Sequence, residues 1–221
     1  MEGDVLTLTA KIRRPKQAKR ITLQRWDVPL YVNASWEDVR SLKVRKRKTV
    51  FHEVVTDLNN ARYRVVVGRR AGKAVKSKPV SVTVWRWIPL RSISSYLSTS
   101  GAVFGETNLN GSRYKAWGAA SYSHAGVWES RFTPGRRCRA FSGVLGLADS
   151  SPEGSSAVIH INADDVPVYD SPALTPGMDV RVQLPLPSPY RIGIEAVDTS
   201  PGDIDSFPSI GDPALLCTGV S

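Results

Sequence analysis

Cysteine is scarce in this 221-residue chain: there are two, Cys138 and Cys217. They form no CxxC, which excludes the zinc and thioredoxin-type patterns. Paired, they would close a loop worth about 4 kcal/mol in the chain-entropy picture; unpaired, they are two buried thiols acting as small hydrophobes. Long apolar runs are absent too. Nothing approaches the roughly 20 residues of a helical membrane span, so no membrane insertion is expected. Met1-Glu2-Gly3-Asp4 lacks the basic-then-apolar layout of a signal peptide. Catalytic signatures are equally missing. His52-Glu53 opens an HExxH, but Thr56 stands where the second histidine belongs. No GxSxG elbow, P-loop or GxGxxG occurs. The chain is expected not to be an enzyme and to need no cofactor.

A sustained 3.6-residue apolar period is also lacking. In its place are short alternating or β-branched runs, separated by Gly, Pro, Asn, Asp and Ser. In the first part these are Val5–Thr9, Ile21–Arg25, Val50–Val55, Arg62–Val67 and Val80–Trp85, with Trp36 as an aromatic anchor on a middle strand. In the second they are Val127–Phe132, Arg139–Leu147, Ala157–Ile161, Val166–Tyr169, Val180–Leu184, Tyr190–Val197 and Ala214–Cys217. The unbroken apolar stretch Val144–Ala148 predicts a central strand covered on both faces.

Charge divides the chain. Residues 1–88 carry 21 Lys and Arg against 7 Asp and Glu, a net of +14; residues 89–221 carry 9 against 13, a net of −4. Opposite signs predict two folding units with different surfaces, 1–88 and 89–221. Two basic tracts, Lys11–Arg20 and Lys43–Lys48, have the charge to neutralise phosphates. No helix-turn-helix, RNP aromatic pattern or zinc spacing accompanies them, so nucleic acid is not expected. A solvated sheet face, or a contact for an acidic neighbouring subunit, is the expectation.

Residues 1–88 resemble a bacterial immunoglobulin-like domain in the order Ile21–Arg25, Trp36–Val39, Ala61–Val65. A more specific set of segments spans residues 90–221. Asn110-Gly111-Ser112-Arg113-Tyr114 comes first, followed by Gly118 and His124-Ala125. A strand from Cys138 to Asp149 is next, then Gly154–Ser171, a strand ending in Asp198, and Gly211-Asp212-Pro213-Ala214-Leu215-Leu216-Cys217. In this order the segments resemble the NPCBM family of carbohydrate-binding modules. The strand spacing and the two resemblances together imply an all-β protein of two β-sandwich domains, immunoglobulin-like then jelly roll (galactose-binding-like); the NPCBM resemblance implies a Cys138–Cys217 disulfide. It also implies a non-catalytic carbohydrate-binding or adhesive module of a secreted or surface bacterial protein, with a glycan or cell-surface polysaccharide as partner.

Sugar recognition needs an aromatic face to stack on a pyranose and planar polar groups for its hydroxyls. The expected contributors are Trp117, Tyr122 and His124 with Asp149, Asp198, Asp203 and Asp205. Trp117, between Ala116 and Gly118, is the expected exposed platform, whereas Trp128 reads as core. Asp198, Asp203 and Asp205 could hold a structural Ca²⁺, but with no EF-hand spacing they read as solvated turn aspartates. The loop Thr199–Pro208 departs from the family pattern, lacking its His and Trp. That departure supports an alternative, a structural protein of a larger assembly such as a virion or cell-envelope layer, using both sandwiches for protein–protein contacts.

Overall fold

The computed structural model describes residues 1, 3–28, 33–55 and 60–218; Thr56 lies outside them. The protein is all-β, as expected. Helix among the described residues is confined to two single 3₁₀ turns, Pro15–Gln17 and Leu90–Ser92. The chain forms two compact units, Met1–Trp85 and Arg86–Ser221.

The first unit holds β1 (Val5–Lys11), β2 (Ala18–Asp27), β3 (Ser35–Lys43), β4 (Lys48–Val54), β5 (Asn60–Arg69), β6 (Val75–Lys76) and β7 (Val80–Thr83). β1 and β4 make a two-stranded sheet. The other strands form a second sheet ordered β3-β2-β5-β6, with β7 also on β5. Alternation drives the packing: Leu6, Leu8 and Ala10 of β1 share a core with Ile21, Leu23, Phe51 and Tyr63. Burial also raises the pKa of the Tyr63 phenol, with Arg25 opposing and Glu53 reinforcing the shift. In immunoglobulin domains the second and third strands lie on opposite sheets; here β2 and β3 are hydrogen-bonded neighbours. Trp36, expected as an anchor on a middle strand, stands on the edge strand β3. It is half-buried, edge-on to Trp26 at 5.3 Å between centroids, with the Arg64 guanidinium 4.1 Å over its ring. Cation–π stacking suits a ring that keeps one face near water.

The second unit continues with β8 (Arg86–Pro89), β9 (Ser95–Ser98), β10 (Ala102–Leu109), β11 (Ser112–Ala119), β12 (Val127–Phe132), β13 (Cys138–Leu147), β14 (Ala157–Ala163), β15 (Val166–Asp170), β16 (Asp179–Pro185), β17 (Ile192–Asp198) and β18 (Pro208–Cys217). One sheet runs β10-β11-β18-β13-β16, with β8 also on β18; the other runs β15-β14-β17-β12-β9. Their inner faces meet in one core. Trp117, Phe141, Leu145, Ile210 and Leu215 come from the first sheet, and Trp128, Phe132, Ile159, Ile161 and Ile194 from the second. β14 alternates buried and half-buried along its whole length, the signature of a strand with one face on a core.

Cys138 and Cys217 are register partners on β13 and β18 and are disulfide-bonded. Val144 to Ala148 are all buried, as their unbroken apolar character predicts. The second cover comes from the β10–β11 hairpin, which bends across the sheet. The Leu109 side chain would touch a Cβ at Gly146, at 3.7 Å, and Asn110 Nδ2 donates to Asp179 Oδ1 of β16 at 2.9 Å. The crossing requires glycine at 211, where a Cβ would sit 2.5 Å from the Tyr114 ring.

Candidate functional site

Two loops meet at one end of the second unit. The first, residues 120–126, joins β11 to β12; the second, residues 199–207, joins β17 to β18. β12 and β17 are antiparallel neighbours with Val127 opposite Val197, so their connecting loops emerge side by side. Asp198 N–H donates to Gly126 O at 2.7 Å, where the two loops begin to diverge.

The first loop is pinned from below. Trp128 is buried, and its indole Nε1 donates to Ser123 Oγ at 2.8 Å. Ser123 N–H closes a turn onto Ala120 O. This leaves Tyr122 standing out, 74% exposed. His124 Nδ1 lies 2.8 Å from Asp205 Oδ2, which ties the first loop to the second. Both side chains remain open to solvent at 68% and 39%.

The second loop is held by Asp198. Its Oδ1 accepts from Ser200 N–H at 2.8 Å and its Oδ2 from Ser206 N–H at 3.0 Å. Burial pushes this carboxyl's pKa up, but the hydrogen bonds from Ser200 and Ser206 outweigh it and hold it below the usual value. Asp198 is therefore the residue that shapes the loop, while Asp203 is exposed on it. Among the described residues no three His, Cys, Asp or Glu side chains group closely enough to hold a metal ion.

The remaining expected contributors divide. Asp149 lies on the turn after β13, and its Oδ2 accepts from Gly111 N–H at 3.0 Å, fastening the β10–β11 hairpin tip. Its neighbours Ala148 and Ser150 line a groove of about 240 Å³, together with Ser121, Phe207 and Ser209. Tyr122 and Asp149 thus each adjoin a residue of the same groove. Trp117 is a correction: it is fully buried, opposite Ile210, and its Nε1 donates to Ser130 Oγ at 2.9 Å. A ring with no accessible face stacks on nothing from solvent.

A second concavity, about 280 Å³, was not visible in the sequence. It opens where β18 exchanges β11 for β8 along one edge. Trp87 and Phe104 line it, with Arg91, Lys115 and Asp212. Asp212 has φ 44°, and Lys115 N–H donates to its Oδ1 at 3.3 Å. The signal that marks the place is Gly211-Asp212-Pro213, a bulge-forming triplet inside a strand.

No protein-family model matches the chain, and no curated protein matches it. Solved structures do. One contains the M60 catalytic domain with the CBM51-1 and CBM51-2 domains of Clostridium perfringens ZmpB. It is 11% identical with a TM-score of 0.50, covering 99% of this chain and 32% of that one. A second, CBM51-2 with the INT domains of the same protein, is 12% identical at TM-score 0.48, covering 72% of this chain and 37% of that one. A third, CBM51 from C. perfringens GH95 in complex with methyl-galactose, is 19% identical at TM-score 0.44, covering 59% of this chain and 99% of that one. The chain thus spans about a third of the length of the two ZmpB structures. The likeness is one of fold, an all-β sandwich.

Proposed function

We propose that the second unit is an NPCBM-like carbohydrate-binding module that holds a glycan without transforming it, at the end of the sandwich where residues 120–126 and 199–207 meet. The observation that carries this reading is Tyr122, an exposed ring two residues before His124, whose imidazole is bonded to Asp205, and directly after Ser121, which lines a groove. A phenol ring offers a flat apolar face with a polar tip. Imidazole and carboxylate supply directional partners for sugar hydroxyls, and their mutual bond fixes both before a ligand arrives. Asp203 adds a second carboxylate on the facing loop, and Asp149 flanks the groove. Asp198 acts indirectly, by holding the loop that presents Asp203 and Asp205. The Cys138–Cys217 disulfide fits a protein that works in an oxidising compartment, such as the cell exterior.

The test is binding of the whole chain to a broad glycan panel, followed by titration calorimetry with the best ligand. Tyr122→Ala is expected to weaken binding tenfold or more, and Asp203→Ala severalfold. Trp87→Ala, in the second concavity, is expected to leave affinity unchanged; the reverse pattern would move the sugar there. Symmetric oligomers forming without any glycan bound across the panel would favour the structural, assembly-forming role.

A further inference from the structure

The two basic tracts of the sequence meet at one pole of the first unit. Ile12 N–H donates to Arg47 O at 2.7 Å, joining the end of β1 to the β3–β4 turn. Val44 N–H donates to Lys19 O, and Arg70 N–H to Gln17 O, bringing in the start of β2 and the end of β5. Three separate stretches of chain therefore deliver their cations to one place. Between them, Lys11–Arg20 and Lys43–Lys48 contain eleven Lys and Arg and no Asp or Glu.

The cations are exposed, and the pole includes a groove of about 480 Å³. Arg20, Lys43, Arg45, Lys46 and Lys48 line it, with no acidic residue among the lining. None of these five takes part in an ion pair among the described residues. Among the described residues, acids stand toward the other end. Asp27 opposite Ser35 closes the far end of the β2–β3 pair, and Glu53 opposite Leu6 the far end of β1–β4.

This arrangement opposes stability. Arg20 is the register partner of Lys43, and Lys11 of Lys48. Like charges directly opposite on neighbouring strands repel and destabilise the pair. An anionic chain along the groove would remove that repulsion and release its own counterions, so the charge pattern is complementary to a polyanion.

We propose that this pole is a docking site for an acidic polysaccharide, a chain of sulfated or carboxylated sugars. The chemistry of the pole favours a saccharide over nucleic acid. Single-stranded nucleic acid is held by stacking bases on aromatic rings. Trp26 and Trp36 face each other near the Asp27 end of β2, away from Arg20. Duplex readers commonly insert a helix into the major groove, and the pole offers a single 3₁₀ turn, Pro15–Gln17. Acidic sugars need only spaced cations. This site is separate from the Tyr122 loops and stands or falls independently of the glycan reading given for them.

The experiment uses the whole chain with three probes at 50 mM salt: heparin as the sulfated polysaccharide, a 20-base-pair DNA duplex, and neutral dextran. Heparin is expected to bind, with log K falling linearly in log salt and at least a tenfold loss between 50 and 200 mM. The triple variant Arg45→Glu, Lys46→Glu, Lys48→Glu, checked for folding by circular dichroism, is expected to lose affinity at least a hundredfold. Heparin binding no tighter than dextran, or an unaffected folded triple variant, would overturn the site. DNA binding as tight as heparin would overturn the saccharide in favour of nucleic acid.

Discussion

Trp117 and Tyr122 lie five residues apart and have opposite fates. Trp117 fills the core, so Trp117→Ala is expected to cost about 3–5 kcal/mol in urea unfolding. Tyr122→Ala exposes almost nothing new and is expected to stay within about 0.5 kcal/mol of the parent. The neighbours of Trp117 explain why the sequence misleads. Ala116 and Gly118 suggest an exposed turn, yet they are small because β11 is pressed against β18: a Cβ at Gly118 would lie 2.3 Å from Ser209 Oγ. Tight strand packing and an open turn select the same residue types, and only the pairing partner tells them apart. Trp128 carries no such ambiguity, since it sits in an alternating strand and is buried. Asp198 makes the other residue-level prediction. Its folded pKa is depressed, so it stabilises the fold above the ordinary unfolded value near 4 and loses that contribution as pH falls through the lower folded value. Asp198→Asn is expected to cost about 1–3 kcal/mol at pH 7, with the gap to the parent narrowing by pH 3. A gap independent of pH would exclude the charge as its source.

At the scale of elements, legibility follows exposure. β12, β14 and β17 each pack one face on the core, and their alternation marks them in the sequence. Residues 127–132 are both the alternating run and the strand. β10 escapes because most of it is solvent-facing, and β11 because its buried residues, Ala116 to Gly118, are consecutive and break the alternation. Ala102–Leu109 carries Gly105 and the polar run Glu106-Thr107-Asn108, and most of its residues are exposed. Its one strong signal is the turn, Asn110-Gly111, with φ of 46° and 75°. Two adjacent positive φ values are what a two-residue type I′ hairpin requires. The disulfide belongs to this scale too, because it joins neighbouring strands across 79 positions. Replacing both cysteines with alanine is expected to lower the stability of the second unit by about 4 kcal/mol, read as a shifted urea midpoint. A shift below about 1 kcal/mol would mean that the core alone sets the register of β13 on β18.

For the whole molecule, each unit buries its own cluster of apolar side chains, one around Ile21, Leu23 and Phe51 and the other around Trp117, Phe132 and Ile194. The groups that respond to solution conditions are also divided between them. The disulfide lies wholly in the second unit, and the dense cation pole wholly in the first. Repulsion among exposed like charges is screened by salt over a Debye length of about 8 Å near physiological ionic strength, whereas a covalent crosslink is indifferent to salt. Scanning calorimetry of the whole chain is therefore expected to show two transitions that answer to different reagents. Raising salt from 20 to 300 mM should move the first unit's transition up by a few degrees as its pole is screened, leaving the other nearly fixed. Reductant should lower the second unit's transition and leave the first in place. A single transition responding to both reagents would show that the units unfold together, and the charge division would then describe two surfaces of one cooperative body.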